Sequence, residues 1–219
     1  MRRRHTAIHE AGHCVARWYF GHLTERVQVF SAAEVAAGAV IDLAHGVSLP
    51  CEGRTDGYDL APHPSERKRL LESPDTAHEA LARVEMALIE GYAGVVAEAH
   101  HRRRALDLCI REGGEADMEQ NGALLRLWYL ADAHGTTDLE ARRRASALVR
   151  SPRGWQAVTT IADALIERGA LPGHEIARLC RRAYGTEPDF EGWVEHWPPR
   201  LDQLRAGFVP AALALAAAA

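Results

Sequence analysis

Thr6-Ala7-Ile8-His9-Glu10-Ala11-Gly12-His13-Cys14-Val15 is the stretch from which the rest of the chain is read. Ile8, Ala11, Val15, Trp18 and Tyr19 recur at helical spacing, so residues 5–20 are expected to form an amphipathic helix. Gly21 ends it. Inside the helix, His9 and His13 stand at i and i+4, on one face and about a turn apart. That spacing lets two imidazoles reach one zinc ion. Glu10 is the next residue round the helix, where a carboxylate can take a proton from water acidified by the metal. The alternative is a pair of solvated histidines on an amphipathic helix. Ala11 and Gly12 leave room for a neighbouring backbone to approach.

Beyond the first helix, two strand-like pieces follow, 27–30 and 37–43, joined by 31–35. Residues 46–64 carry Gly, Pro and Asp and read as a loop, with room for one more short strand. A short helix is expected over 65–71, broken by Pro74, and then a long one to about residue 104. Gly91 and Gly94 lie three apart on one face of it, an opening for close approach by another helix. Gly113-Gly114 is a turn. Further helices are expected over 117–134, from 138 to the Ser151-Pro152 break, over 156–168 and over 174–184, with a turn at 171–173. The sequence reads as mainly α with a small β-sheet, an α+β chain. One domain is expected over 1–184, followed by an irregular extension over 185–219 that carries Trp193 and Trp197. The alanine-rich end of that extension reads as disordered or weakly helical.

Composition narrows the function classes. The chain has 219 residues, a formal net charge of −4 and 47 % apolar residues, with alanine the commonest. Alanine at that level favours helices. Lys68 is the only lysine, and the arginines cluster as Arg2-Arg3-Arg4, Arg102-Arg103-Arg104 and Arg142-Arg143-Arg144. A nucleic-acid-binding domain is expected to be net basic, so these triplets read as solvated helix faces and no nucleic-acid partner is expected. The four cysteines form no CxxC pair. Reduced thiols and a cytoplasmic location are expected. No apolar run reaches the roughly 20 residues of a membrane span.

Four stretches, taken in order, resemble the proteolytic domain of FtsH-type peptidases. Residues 6–15 resemble that family's zinc helix. Ile89-Glu90-Gly91-Tyr92-Ala93-Gly94-Val95-Val96-Ala97-Glu98 resembles its helix with paired glycines. Gly113-Gly114-Glu115-Ala116-Asp117-Met118-Glu119-Gln120 resembles its glycine-rich turn and the acidic residue that follows. Residues 164–176 resemble its closing helix-turn-helix. The resemblance covers most of residues 5–180 and implies a zincin-like helical fold. It implies Zn2+ held by His9, His13 and Asp117, with Glu10 as general base. It also implies a substrate strand beside the zinc helix, which matches Ala37, Gly38, Ala39 and Val40. From the residues alone, Glu90, Glu98, His100 and His101 compete as third ligand. Asp117 with Gln120 also fits a helix N-cap and capping box.

The chain departs from the family as well. It opens close to the zinc helix and carries no GxxxxGK[ST] phosphate loop, so a stand-alone domain without ATPase activity is expected. The separation of His13 and Asp117 is expected to exceed the family's, with the surplus in 65–79. Peptides or unfolded protein segments are the substrates implied, with a separate unfoldase or adaptor as a partner. The family's hexamer leans partly on its ATPase ring, so an oligomer is compatible with this chain but not carried over. The alternative function is a catalytically inactive zinc-binding interaction or regulatory module derived from such a peptidase.

Overall fold

The computed structural model describes residues 2–38, 40–42, 48–50, 52–57, 74–130 and 138–210. The stretch expected as a helix at 65–71, most of the expected insertion at 65–79, and the tail 211–219 lie outside the described residues.

Helix α1, Arg2–Tyr19, is the centre of the molecule. Its residues from Ala11 to Tyr19 are all buried, so the apolar stripe at 8, 11, 15, 18 and 19 is wrapped rather than covered on one side. Against it lies α3, Pro74–Arg102, the longest helix. The two backbones come close because Gly12 faces α3: a Cβ there would be 2.5 Å from the Ala93 carbonyl oxygen. On another side α1 packs on α7, Pro152–Arg168. Ser151 caps α7, its Oγ accepting from Gly154 N at 3.0 Å. Between α3 and α7 run α4 (Leu106–Gly113), α5 (Glu115–Leu130) and α6 (Asp138–Val149). After α7 comes α8, Gly173–Tyr184, ended by Gly185 in the left-handed region.

The sheet is small and antiparallel. Strand β1, Thr24–Val29, is central, flanked by β4, Gly53–Gly57, and β5, Ala170–Pro172. Val27 and Val29 of β1 are buried, as alternation requires. A separate two-stranded ribbon pairs β2, Val40–Asp42, with β3, Ser48–Pro50. Helix α2, Ala32–Ala36, links β1 to the ribbon and begins in a capping box made by Ser31 and Glu34.

The mainly helical α+β reading stands. Several local expectations are corrected. Residues 37–43 do not form one strand: Ala37 caps α2, Gly38 has φ +97°, and β2 begins only at Val40. Two strands lie in the region read as loop. Leu171-Pro172 belongs to β5 rather than to a turn, because Leu171 pairs with Val27 and is buried. Helix α4 occupies residues assigned to no element from the sequence. Within 185–210, two short helices, α9 (Phe190–Glu195) and α10 (Leu201–Ala206), replace the irregular path expected. Trp193 and Leu204 are fully buried, and Trp193 Nε1 donates to the Tyr19 carbonyl at 2.6 Å. No described helix is long and apolar enough to cross a membrane.

Candidate metal centre

His9 and His13 project from α1 one turn apart, and their Nε2 atoms meet at 3.1 Å. Asp117 arrives from the first turn of α5. Its Oδ2 lies 3.0 Å from His9 Nε2 and its Oδ1 3.5 Å from His13 Nε2. The three are the group of potential metal ligands among the described residues. The helix begins at Glu115, which puts Asp117 inside its first turn; the carboxylate turns to the imidazoles instead of closing a capping box with Gln120.

The ring orientations follow from what holds the other nitrogen. His13 Nδ1 lies 2.9 Å from the Glu90 carbonyl oxygen, an atom that only accepts, so Nδ1 carries the proton. His9 Nδ1 lies 3.4 Å from Glu98 Oε2, again an acceptor. In the neutral rings both Nε2 atoms then present lone pairs. Two lone pairs and a carboxylate then converge, a set that a shared proton or a metal ion can bridge. Backing each ligand histidine with a carboxylate or carbonyl is the usual support for a metal-bound imidazole.

The two Nε2 atoms, 3.1 Å apart, are near the separation of about 3.3 Å between ligand atoms on a tetrahedral ion with bonds of about 2.05 Å. Each oxygen of Asp117 faces one imidazole, at 3.0 and 3.5 Å, and one ligand atom from each residue lies within 4.8 Å of the others. The room is made by Gly94 of α3: a Cβ there would lie 2.3 Å from His13 Nε2 and 2.7 Å from His9 Nε2. Gly91, a turn earlier, makes room for α5 in the same way, since a Cβ would lie 2.1 Å from Asn121 Oδ1. The paired glycines thus admit the site and the helix that completes it.

The electrostatics agree. Burial by itself would lower the His9 pKa, but Asp117, Glu98 and Glu10 outweigh it and hold it well above the ordinary histidine value. His13 is raised too, Asp117 again overcoming burial. Asp117 moves the other way: burial opposes its charge, yet the two histidines hold its carboxyl far below the usual range. The cluster as it stands therefore draws protons.

Glu10 is 7 % exposed. Burial pushes its pKa up, against the pull of His9, His13 and a hydrogen bond from Thr55 Oγ1 to its Oε2 at 2.7 Å. The carboxyl is thus held where its charge is disfavoured, beside the three converging groups.

The competing ligands take other roles. Glu98 supports His9 and is itself held by Arg102 at 2.6 Å. Glu90 lends its carbonyl to His13 while its carboxylate pairs with buried Arg17 at 2.6 Å. His100 stacks edge-on against Trp155, and His101 against His5. The expected substrate segment is not one continuous strand: Ala37 and Gly38 end a helix, Ala39 lies outside the described residues, and Val40 starts the separate ribbon. The strand that lies on the zinc-motif helix at Glu10 is β4. Thr55 and the supporting carbonyl of Glu90 were not marked by sequence reasoning. Arg17 carried a usable signal, because it continues the stripe of His9 and His13 at the same spacing of four.

A comparison with protein-family models returns no match for this chain, and a comparison with curated proteins returns none.

Proposed function

We propose that this chain is a zinc-dependent metalloendopeptidase acting on peptides or unfolded protein segments. The convergence of both Nε2 atoms and Asp117, with Glu10 alongside, carries the reading. The FtsH-type resemblance points the same way. His9, His13 and Asp117 would hold the ion. Bound there, zinc supplies Lewis acidity, which polarises a scissile carbonyl and makes water acidic at neutral pH. Glu10 then takes a proton from the attacking water onto its carboxylate. It returns that proton to the amide nitrogen as the C–N bond breaks, and the proton of the new carboxylic acid passes to the freed amine, which leaves an ammonium, a carboxylate and Glu10 ready again.

Substrate would lie along β4. This strand lies on the helix of His9 and Glu10 and has β1 as its described partner, and an extended peptide would bind there by main-chain pairing. Main-chain pairing of that kind gives affinity with little sequence selectivity. With no phosphate-binding loop in the chain, a folded substrate would need a separate unfoldase or adaptor.

The test is cleavage of an unstructured peptide by zinc-loaded wild type and Glu10→Gln. Loss of about 10²–10⁴-fold in kcat with zinc retained is expected, the usual contribution of general acid–base catalysis. Zinc bound by a wild type that cleaves nothing would leave the inactive interaction module as the better reading.

A further inference from the structure

Strand β4 touches α1 through alternate residues, and two of these meet the two oxygens of the Glu10 carboxylate. Thr55 donates its hydroxyl to Oε2 at 2.7 Å. Gly53 lies flat against the other oxygen: a Cβ there would stand 2.6 Å from Oε1 and 2.7 Å from Glu10 Cγ. The next residue of the same parity, Gly57, lies against the Arg17 guanidinium, where a Cβ would be 2.3 Å from Nη2. At the start of the strand, Thr6 Oγ1 donates to Glu52 Oε2 at 3.2 Å. Arg54 and Asp56, of opposite parity, pair with each other. The strand is therefore in register with the helix along Thr6, Glu10 and Arg17. Its register with β1 is fixed separately, by Val29 opposite Gly53 and Val27 opposite Thr55.

We propose that β4 is a clamp that sets the attitude of Glu10, with Thr55 as its positioning residue and Gly53 as a flat surface beside it on the same face of the strand. The inference rests on the peptidase reading of Glu10. A free glutamate side chain rotates about three bonds, and a proton acceptor held in one attitude avoids that loss at each turnover. Thr55 occupies Oε2, and the absence of a side chain at Gly53 leaves Oε1 without a Cβ over it. Because β4 is also the strand along which substrate would lie, one element aligns the base and the peptide to each other.

Thr55→Val keeps the branched shape and removes the donor, whereas Thr55→Ser keeps the donor. Three readouts separate them from wild type, all on zinc-loaded protein: zinc per chain, kcat and KM on an unstructured peptide, and the Glu10 carboxylate in crystal structures. Thr55→Val is expected to retain zinc, to lose about tenfold in kcat with KM within about twofold, and to show the carboxylate rotated away from β4. Thr55→Ser is expected to restore both. Wild-type kcat in Thr55→Val, an unmoved carboxylate there, or no rescue by serine overturns the clamp. A zinc-loaded wild type without activity overturns the peptidase reading instead, and the carboxylate attitude in the two variants still decides the clamp.

Discussion

The two halves of α1 are built on opposite principles. The half around His9 and His13 faces small residues, Gly94, Ala93 and Ala97 of α3, and its own Ala11 and Gly12. The half around Trp18, Tyr19 and Phe20 faces large ones: Tyr184 packs on Trp18 and Tyr19, and Trp193 on Tyr19 and Phe20, at ring separations of 5.0–5.7 Å. One half is defined by side-chain volume left out, so that polar atoms converge. The other is defined by volume put in, so that apolar surface is buried. Stability and chemistry are thus divided along a single helix, and each half is expected to fail on its own.

The aromatic half carries the larger stability effect. Trp193→Ala removes a fully buried ring and its hydrogen bond to Tyr19. It is expected to cost about 3–5 kcal/mol and to lower Tm by roughly 6–20 °C. Zinc stoichiometry in the surviving folded protein should be unchanged. Calorimetry with metal analysis on one preparation checks both, and loss of zinc below the transition would mean the halves are coupled.

In the polar half, Gly94→Ala puts a methyl where both Nε2 atoms point. Zinc affinity is expected to fall on the order of 100-fold, while the metal-free protein melts near wild type. Competition with a chelator reads the affinity, and unchanged binding would deny that the glycine makes the site. Glu98→Gln breaks the support of His9 and the pair with Arg102. The same titration should show about a tenfold loss; a mutant that binds like wild type would remove Glu98 from the account.

A separate effect concerns acid stability at the aromatic end. His22 is held down to about 3 by burial first and then by Arg17 and Arg83. Neutral in the folded protein, it takes a proton on unfolding at about 6.5. Its contribution is therefore complete above about pH 6.5 and drains away as pH falls toward 3. His22→Phe should flatten the decline of the unfolding free energy, read from urea titrations across that window, by up to about 1.4 kcal/mol per pH unit. An equally steep decline in the variant would assign the acid sensitivity elsewhere.

What the sequence makes legible follows from local physics. The spacing of His9 and His13 is a property of one helix, and the pairing of Gly91 with Gly94 is a property of another, so both can be read without the fold. Asp117 is different: locally it fits a capping residue, and only the resemblance singles it out as a ligand. Strand β4 is hidden for a plainer reason. Gly53-Arg54-Thr55-Asp56-Gly57 has the composition of a turn. It becomes a strand because β1 offers its ladder and α1 accepts alternate residues against its surface, a tertiary demand that outweighs propensity. Residues 37–43, richer in β-formers, read as the better strand and yet start with a helix cap. Trp193 was visible as an aromatic in a polar tail. That it closes the core depends on Tyr19, which lies far from it in the chain.

The central claim is that His9, His13 and Asp117 form one metal site. The direct measurement is zinc by elemental analysis in wild type and Asp117→Ala, each purified without added metal. The account predicts about one zinc per chain in wild type and its loss in a variant that stays folded. Zinc retained by Asp117→Ala, or a wild type that takes up none even when zinc is supplied, would contradict it.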